Sequence, residues 1–445
     1  MTVARENPQQ GRDAMGLGLA ALNRLAGSKL IDRAGLRKPV EDLVSSATRA
    51  GFQAAGTANR TFKATTRLGK PARLEKAPDS GLFDLEPTDE QQMIVETVDE
   101  FAAEQLRPTA AQADDKLAPP DGLLDRAAEL GVTQIGIPDE LGGVGSERSV
   151  VTNALVAESL AHGDMGLAVA VLAPSAVSNA LVQWGDADQQ ATYVPAFAGE
   201  HVPAAALALQ ERTPLFDPFA PKTRAKRTPN GYRLDGVKSL VPRGADAELF
   251  IVSADLEGRG PALFIVEGAT AGVSVEAEPA MGLRSAATTK LVLSDVTLPA
   301  GALLGGGSRE VFADVVRLSR IGWAALACGT GKAVLDYVIP YVNEREAFGE
   351  PISHRQGVAF QVSDIAIELE SMRLTMLRAA SRAEQGRPYA REVALARKLA
   401  TDKGMQIGSA GVQLLGGHGY TKEHPVERWY RDLRAIGAVD GIVLL

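Results

Sequence analysis

The chain has 445 residues, 45% of them hydrophobic, enough to bury a large core and to form more than one domain. Its one cysteine, Cys328, excludes an internal disulfide framework, and its five histidines (His162, His201, His354, His418, His424) show no Cys/His metal-ligand spacing. No metal is therefore expected, a reducing cytoplasm is the expected compartment, and the net charge of −8 excludes a uniformly basic nucleic-acid binder.

The charge is uneven. Residues 1–80 carry 14 Lys/Arg against 7 Asp/Glu, a balance of +7, and leave −15 for the remainder. Two helices are expected within residues 13–68, separated near Pro39. The opening MTVARENPQQGRDAMGLGLAALNRL is interrupted by Asn23 and Arg24, unlike a secretory signal, and no stretch reads as a membrane span. The cations are dispersed with few aromatics beside them, which argues against nucleic acid. A solvated helical appendage used in assembly is expected, with peripheral membrane contact as the lesser alternative. KPARLEKAPDSGLFDLEP, residues 70–87, reads as a linker.

Thr88 and Gln91 form a capping-box pair, and Ile94, Val98, Phe101 and Gln105 follow at helical spacing up to Pro108. LLDRAAELGV, SVVTNALVAESLAHG, SAVSNALVQWG and DQQATYVPAFAGE continue an all-α domain over residues 81–202. From 203 to 306, β-rich runs such as AELFIVSADL, PALFIVEG and TKLVLSDVTLP alternate with turns, predicting a middle antiparallel β domain. Over 307–445 the period returns to 3.6, with long helices at 309–340, 354–386, 388–415 and 425–435 that pack as a bundle. The fold class is α+β multidomain, and the order α, β, α excludes a doubly wound nucleotide fold.

Three stretches carry chemistry. LLGGHGY (414–420) follows a helix and lacks GxGxxG spacing, so on its own it reads as a helix stop rather than a dinucleotide fingerprint. NEREAFGEPISHRQG (343–357) offers an arginine for a pyrophosphate, an aromatic for a flat ring and a glutamine for an amide edge, or simply an exposed loop. RWYRDLRAIGAVDGIVLL (428–445) holds one carboxylate, Asp440, among small and apolar residues: a catalytic base or a surface carboxylate.

From about Glu86 onward, roughly four-fifths of the chain, the sequence resembles the acyl-CoA dehydrogenases. The carriers are IPDELGGVG (137–145), the LxGVKxLVP run (234–242), MGLRSAATTKLVLSDVTLP (281–299), NEREAFGEPISHRQ (343–356) and VQLLGGHGYTKEHPVERWYRD (412–432). The resemblance implies an α-helical domain, a β domain and a C-terminal four-helix domain around FAD. It further implies α,β-dehydrogenation of an acyl-CoA to the trans-2-enoyl-CoA, with electrons passed to an electron-transfer flavoprotein. A homo-oligomer, dimer or tetramer, or a hetero-oligomer with a related dehydrogenase is implied as well.

By the same resemblance Asp440 is the base. Arg345, Phe348, Gln356, Gln413, Leu414, Gly416 and Gly417 reach the FAD of a neighbouring subunit, and Arg320 and Gly441 lie at the substrate. The chain departs from the family at several of these places. Asp440 stands where a glutamate is usual and is one C–C bond, about 1.5 Å, shorter. LALQERTPLFDP (207–218) replaces a Thr-Glu-Pro run and its Gly-Ser-Asp turn, keeping Glu211 and Asp217. Leu240-Val241-Pro242 replaces a Trp-Ile-Thr that lies against the flavin, and Arg317 replaces an acid. The departures leave a second expectation open: a weakly catalytic or non-catalytic subunit that completes a partner's FAD site.

Overall fold

Thr88 caps the first helix as its sequence requires: its Oγ1 accepts the Gln91 N–H at 3.2 Å, and the Gln91 side chain accepts the Thr88 N–H at 3.1 Å. This computed structural model describes residues 81–445 apart from 82, 84, 144–147, 200 and 214. Two compact units divide the chain, Met1–Asp79 and Ser80–Leu445, and the described residues belong to the second. The basic extension and its two expected helices lie outside them.

The first unit of structure is all-α: α1 Asp89–Phe101, α2 Ala110–Lys116, α3 Leu123–Glu129, α4 Val150–Gly163, α5 Met165–Trp184 and α6 Ala187–Phe197. Beyond α1 the helix does not run on unbroken to Pro108, because Ala102–Leu106 form a π-helical turn. Ser149, Asp164 and Asp186 accept N–H groups at the starts of α4, α5 and α6. By length and composition α5 could cross a membrane, contrary to the expectation from sequence, yet 89% of its apolar window is buried within the protein. It is a buried helix of the core.

The β domain is one sheet in the order β6-β7-β3-β2-β4-β5-β8, with β1 added to β4. Its strands are β1 Ala205–Ala208, β2 Arg224–Thr228, β3 Gly231–Val241, β4 Leu249–Leu256, β5 Gly260–Glu267, β6 Val273–Ala277, β7 Thr289–Pro299 and β8 Leu303–Leu304. The expected antiparallel domain holds in most of its strand pairs and is corrected in two: β1 and β2 both run parallel to β4, sharing one of its edges. Strand periodicity explains why β1, β4 and β5 read as unbroken apolar runs. Leu207, Leu249, Ile251, Leu263 and Ile265 face the helical core, while Ala206, Phe250, Val252, Phe264 and Val266 fill a second core inside the β domain.

The C-terminal helices are α7 Arg309–Glu344, α8 Gln356–Glu384, α9 Ala390–Leu414 and α10 Val426–Ala435. A two-stranded hairpin, β9 Glu346–Ala347 and β10 Glu350–Pro351, separates α7 from α8. α7 is the axis of the bundle and packs on α4, α8 and α9.

The charge run in α10 is an interior network. Arg431 chelates Asp114 at 2.8 and 2.9 Å, and Arg428 holds the fully buried Asp164 at 2.9 Å. Asp432 accepts the Leu283 N–H at 2.6 Å. Burial, then the neighbouring Asp164 carboxylate, push Asp432 up to about 7. Its folded-state proton affinity lies above the ordinary value of about 4, so its contribution is present at low pH and is lost as pH rises towards about 7. Asp432→Asn keeps an acceptor for Leu283 and cannot ionise. Its melting temperature relative to the parent is expected to rise between pH 5 and pH 8, measured by scanning fluorimetry; a constant difference would show Asp432 ionised throughout.

Candidate active site

The segment after α10 is buried from Val439 to Leu445, which disposes of the surface-carboxylate reading of Asp440. Gly441 turns the chain with φ 80°, and a Cβ there would meet the Leu209 Cβ at 2.7 Å, so only glycine fits. The Gly441 carbonyl accepts from Ser319 Oγ and Trp323 Nε1, each at 2.9 Å, and Ile442 bridges Leu207 of β1. The segment is thereby fixed to α7 on one side and to the sheet on the other.

Asp440 meets Arg320 bidentately: Nε donates to Oδ1 at 2.9 Å and a terminal nitrogen to Oδ2 at 3.3 Å. A terminal nitrogen of Arg397 lies 3.9 Å from Oδ1 and donates to the Val439 carbonyl at 2.6 Å. Burial lowers the Arg397 pKa, with the Arg320 charge acting the same way and Asp440 opposing it. The Asp440 N–H donates to Gln210 Oε1 at 2.9 Å. The resemblance implies roles for Asp440 and Arg320 separately and not their pairing, and nothing in the sequence points to Arg397 or Gln210. Beyond Asp440, Val443, Leu444 and Leu445 pack among Val156, Leu172 and Asn179, leaving a cavity of about 20 Å³.

The second group of expected residues gathers elsewhere. Phe348 stands at the tip of the β9–β10 hairpin, 96% exposed and in left-handed backbone geometry (φ 57°). Left-handed geometry is uncommon for a bulky residue and costs conformational energy. Arg345 ends α7, Gln356 begins α8, and both are exposed, as are Gln413, Gly416 and Gly417. Tyr341, one turn before Arg345, donates its hydroxyl to the Leu415 carbonyl at 3.4 Å, so the hairpin and the glycine turn share one end of the bundle. Leu414 differs from the rest: its side chain is buried in the core.

Within one chain, Arg320 beside Asp440 and Arg345 of the outer face stand far apart. Arg320 and Arg345 lie on the continuous helix α7, and their separation in sequence corresponds to about 37 Å of helical rise.

Sequence profiles of the acyl-CoA dehydrogenase N-terminal, middle and C-terminal domains match residues 88–201, 206–296 and 309–442. The short/branched chain specific acyl-CoA dehydrogenase of Rattus norvegicus is 33% identical over 360 residues, 79% of this chain and 82% of that protein. The chain belongs to the acyl-CoA dehydrogenase family. The short-chain specific acyl-CoA dehydrogenase of Megasphaera elsdenii is 30% identical, covering 81% of this chain and 96% of its own length. The solved butyryl-CoA dehydrogenase from Megasphaera elsdenii superposes with a TM-score of 0.73 at 30% identity, over 80% of this chain and 95% of that one.

FAD is the cofactor of this acyl-CoA dehydrogenase family. The chain fits it unevenly. The outer face suits it: an exposed aromatic, an arginine, two glutamines and glycines with nothing within 4 Å of a notional Cβ at Gly416 and Gly417. The inner side is poorer in free donors. The Leu240 N–H is taken by Glu278 at 2.9 Å, and Pro242 has no N–H. Glu211 is buried against Lys238 at 2.7 Å, and Asp217 accepts the Phe219 N–H.

Proposed function

We propose that this acyl-CoA dehydrogenase converts a short acyl-CoA to its trans-2-enoyl-CoA, with Asp440 as the base, passing electrons to an electron-transfer flavoprotein in a reducing cytoplasm. The working form is a homo-oligomer, a tetramer, in which FAD lies between the inner site of one copy and the outer face of another. The carrying observation is the buried, doubly anchored Asp440, together with the rise of about 37 Å along α7 between its partner Arg320 and Arg345 of the outer face. Phe360, Ile367 and Leu374, seven residues apart and 59, 62 and 40% exposed, lay an apolar seam along α8 that suits association of copies.

The chemistry follows from proximity. The thioester carbonyl carbon is bonded to the α-carbon that loses its proton, so a donor for the developing enolate oxygen must lie within a few ångströms of the base. Asp440 supplies both, a carboxylate for the α-proton and its own N–H for the oxygen. Both carboxylate oxygens are engaged by Arg320, so the carboxylate leaves at least one of those donors to take the proton. When bound, FAD supplies the acceptor for the β-hydrogen, which leaves as hydride. A short acyl chain is supported by the short-chain and butyryl names of the relatives.

The purified FAD-loaded protein is expected to lose its flavin absorption on anaerobic mixing with butyryl-CoA. A flavin that stays oxidised with butyryl-, branched and longer acyl-CoAs would overturn the proposal.

A second reading is favoured by the Leu240-Val241-Pro242 run and the engaged Asp440 N–H: the chain completes the FAD site of a related dehydrogenase through its outer face. A colourless protein that raises FAD retention when co-purified with such a partner would select it.

A further inference from the structure

The Asp440 N–H is already occupied. Gln210, only 7% exposed, accepts it through Oε1 at 2.9 Å, and its Nε2 donates to the Ala438 carbonyl at 3.3 Å and to the Glu211 carbonyl at 3.4 Å. One amide thus clips the backbone on both sides of Val439. The two contacts to the clipped segment fix its orientation, since an N–H needs the amide oxygen and a carbonyl needs the amide nitrogen. The Gln210 backbone is itself held, its carbonyl accepting the Ser239 N–H at 2.9 Å.

A side-chain amide carbonyl is chemically close to a thioester carbonyl: a planar sp² oxygen seeking the same donor. We infer that Gln210 is an internal surrogate for the substrate's thioester oxygen, a positioning residue that keeps the Asp440 N–H satisfied at rest and must be displaced when an acyl-CoA binds. This rests on the reading of Asp440 as the base and deepens it. A buried N–H without an acceptor is costly, so the surrogate stabilises the empty site, at the expense of affinity for thioesters. A shorter polar side chain at position 210, such as threonine, is too short to make the same clip.

The competition is specific to a ligand oxygen, which supplies the test. Crotonyl-CoA carries the thioester carbonyl without a saturated Cα–Cβ bond to oxidise, and S-butyl-CoA is a thioether without the carbonyl. Their binding to the FAD-loaded protein is measured by titration calorimetry for the parent, Gln210→Ala and Gln210→Thr. If the clipped state outweighs the open one about tenfold, both variants bind crotonyl-CoA about tenfold more tightly than the parent. S-butyl-CoA affinity is expected to change less than about twofold. An equal gain for both ligands would reduce Gln210 to a space-filling role, and no gain for crotonyl-CoA would remove the competition; either overturns the inference and leaves Asp440 untouched. If crotonyl-CoA binds neither parent nor variants, the acyl-CoA reading itself falls, and the inference with it.

Discussion

Asp440→Asn should leave FAD bound and slow anaerobic flavin reduction by butyryl-CoA about 10²- to 10⁴-fold, the range expected on removing a positioned general base. The amide keeps an oxygen for Arg320 and the same backbone N–H for the thioester, so binding should survive while the proton has nowhere to go. Unchanged reduction would remove Asp440 from the mechanism. Asp440→Glu is the complementary test. A displacement near 1 Å costs on the order of 100-fold in rate, and the missing methylene amounts to about 1.5 Å. The longer acid should therefore raise the rate if the aspartate is held too far from its proton. No gain would mean that the turn at Gly441 and Ile442, both at positive φ, already carries the backbone towards the substrate.

What sequence showed of this site and what it concealed divide along chemical lines. Local signals were legible: the Thr88 capping box, the runs of β4 and β5, and the order of helical and strand periods. That the outer-face residues would gather was legible through resemblance, because they sit in two short motifs at the ends of α7 and α9. Pairings over long separations were not. Arg320 with Asp440 and Gln210 with Asp440 are 120 and 230 residues apart, and neither spacing carries a period. Burial of the segment after α10 was likewise concealed, because GIVLL reads equally as a frayed end or a core strand. The parallel placement of β1 and β2 on β4 depends on crossover connections, which strand patterning does not encode. One missed pair did leave a signal. In β3, Leu234, Gly236 and Lys238 share parity, so Lys238 points where Leu234 points, and an inward lysine requires a buried acid.

That lysine should be the costliest single side chain to remove from the β domain. Lys238 is fully buried, and its ammonium donates to Glu211 Oε1 at 2.7 Å, Ser253 Oγ at 2.9 Å and the Leu209 carbonyl at 3.4 Å. Glu211 in turn accepts the N–H groups of Lys222 at 2.6 Å and Thr223 at 2.9 Å. Burial pulls Lys238 down to about 8, with Glu211 opposing the fall. For Glu211, burial would raise the carboxyl, but Lys238 and the two backbone donors hold it below its ordinary value. At neutral pH the pair is therefore ionised, and it ties the Leu209–Thr213 connection to β3. Lys238→Met leaves a buried carboxylate without its cation and should cost about 3–5 kcal/mol, lowering the melting temperature by several degrees. Lys238→Met combined with Glu211→Gln should recover much of that loss, because the stranded charge is gone and only the hydrogen bonds remain to be replaced. Additive losses in the double variant would show that packing, rather than the ion pair, holds this connection. The lysine variant should also loosen Gln210, which lies between Leu209 and Glu211, so flavin reduction and stability measured on the same protein tie the strand's anchor to the geometry around Asp440.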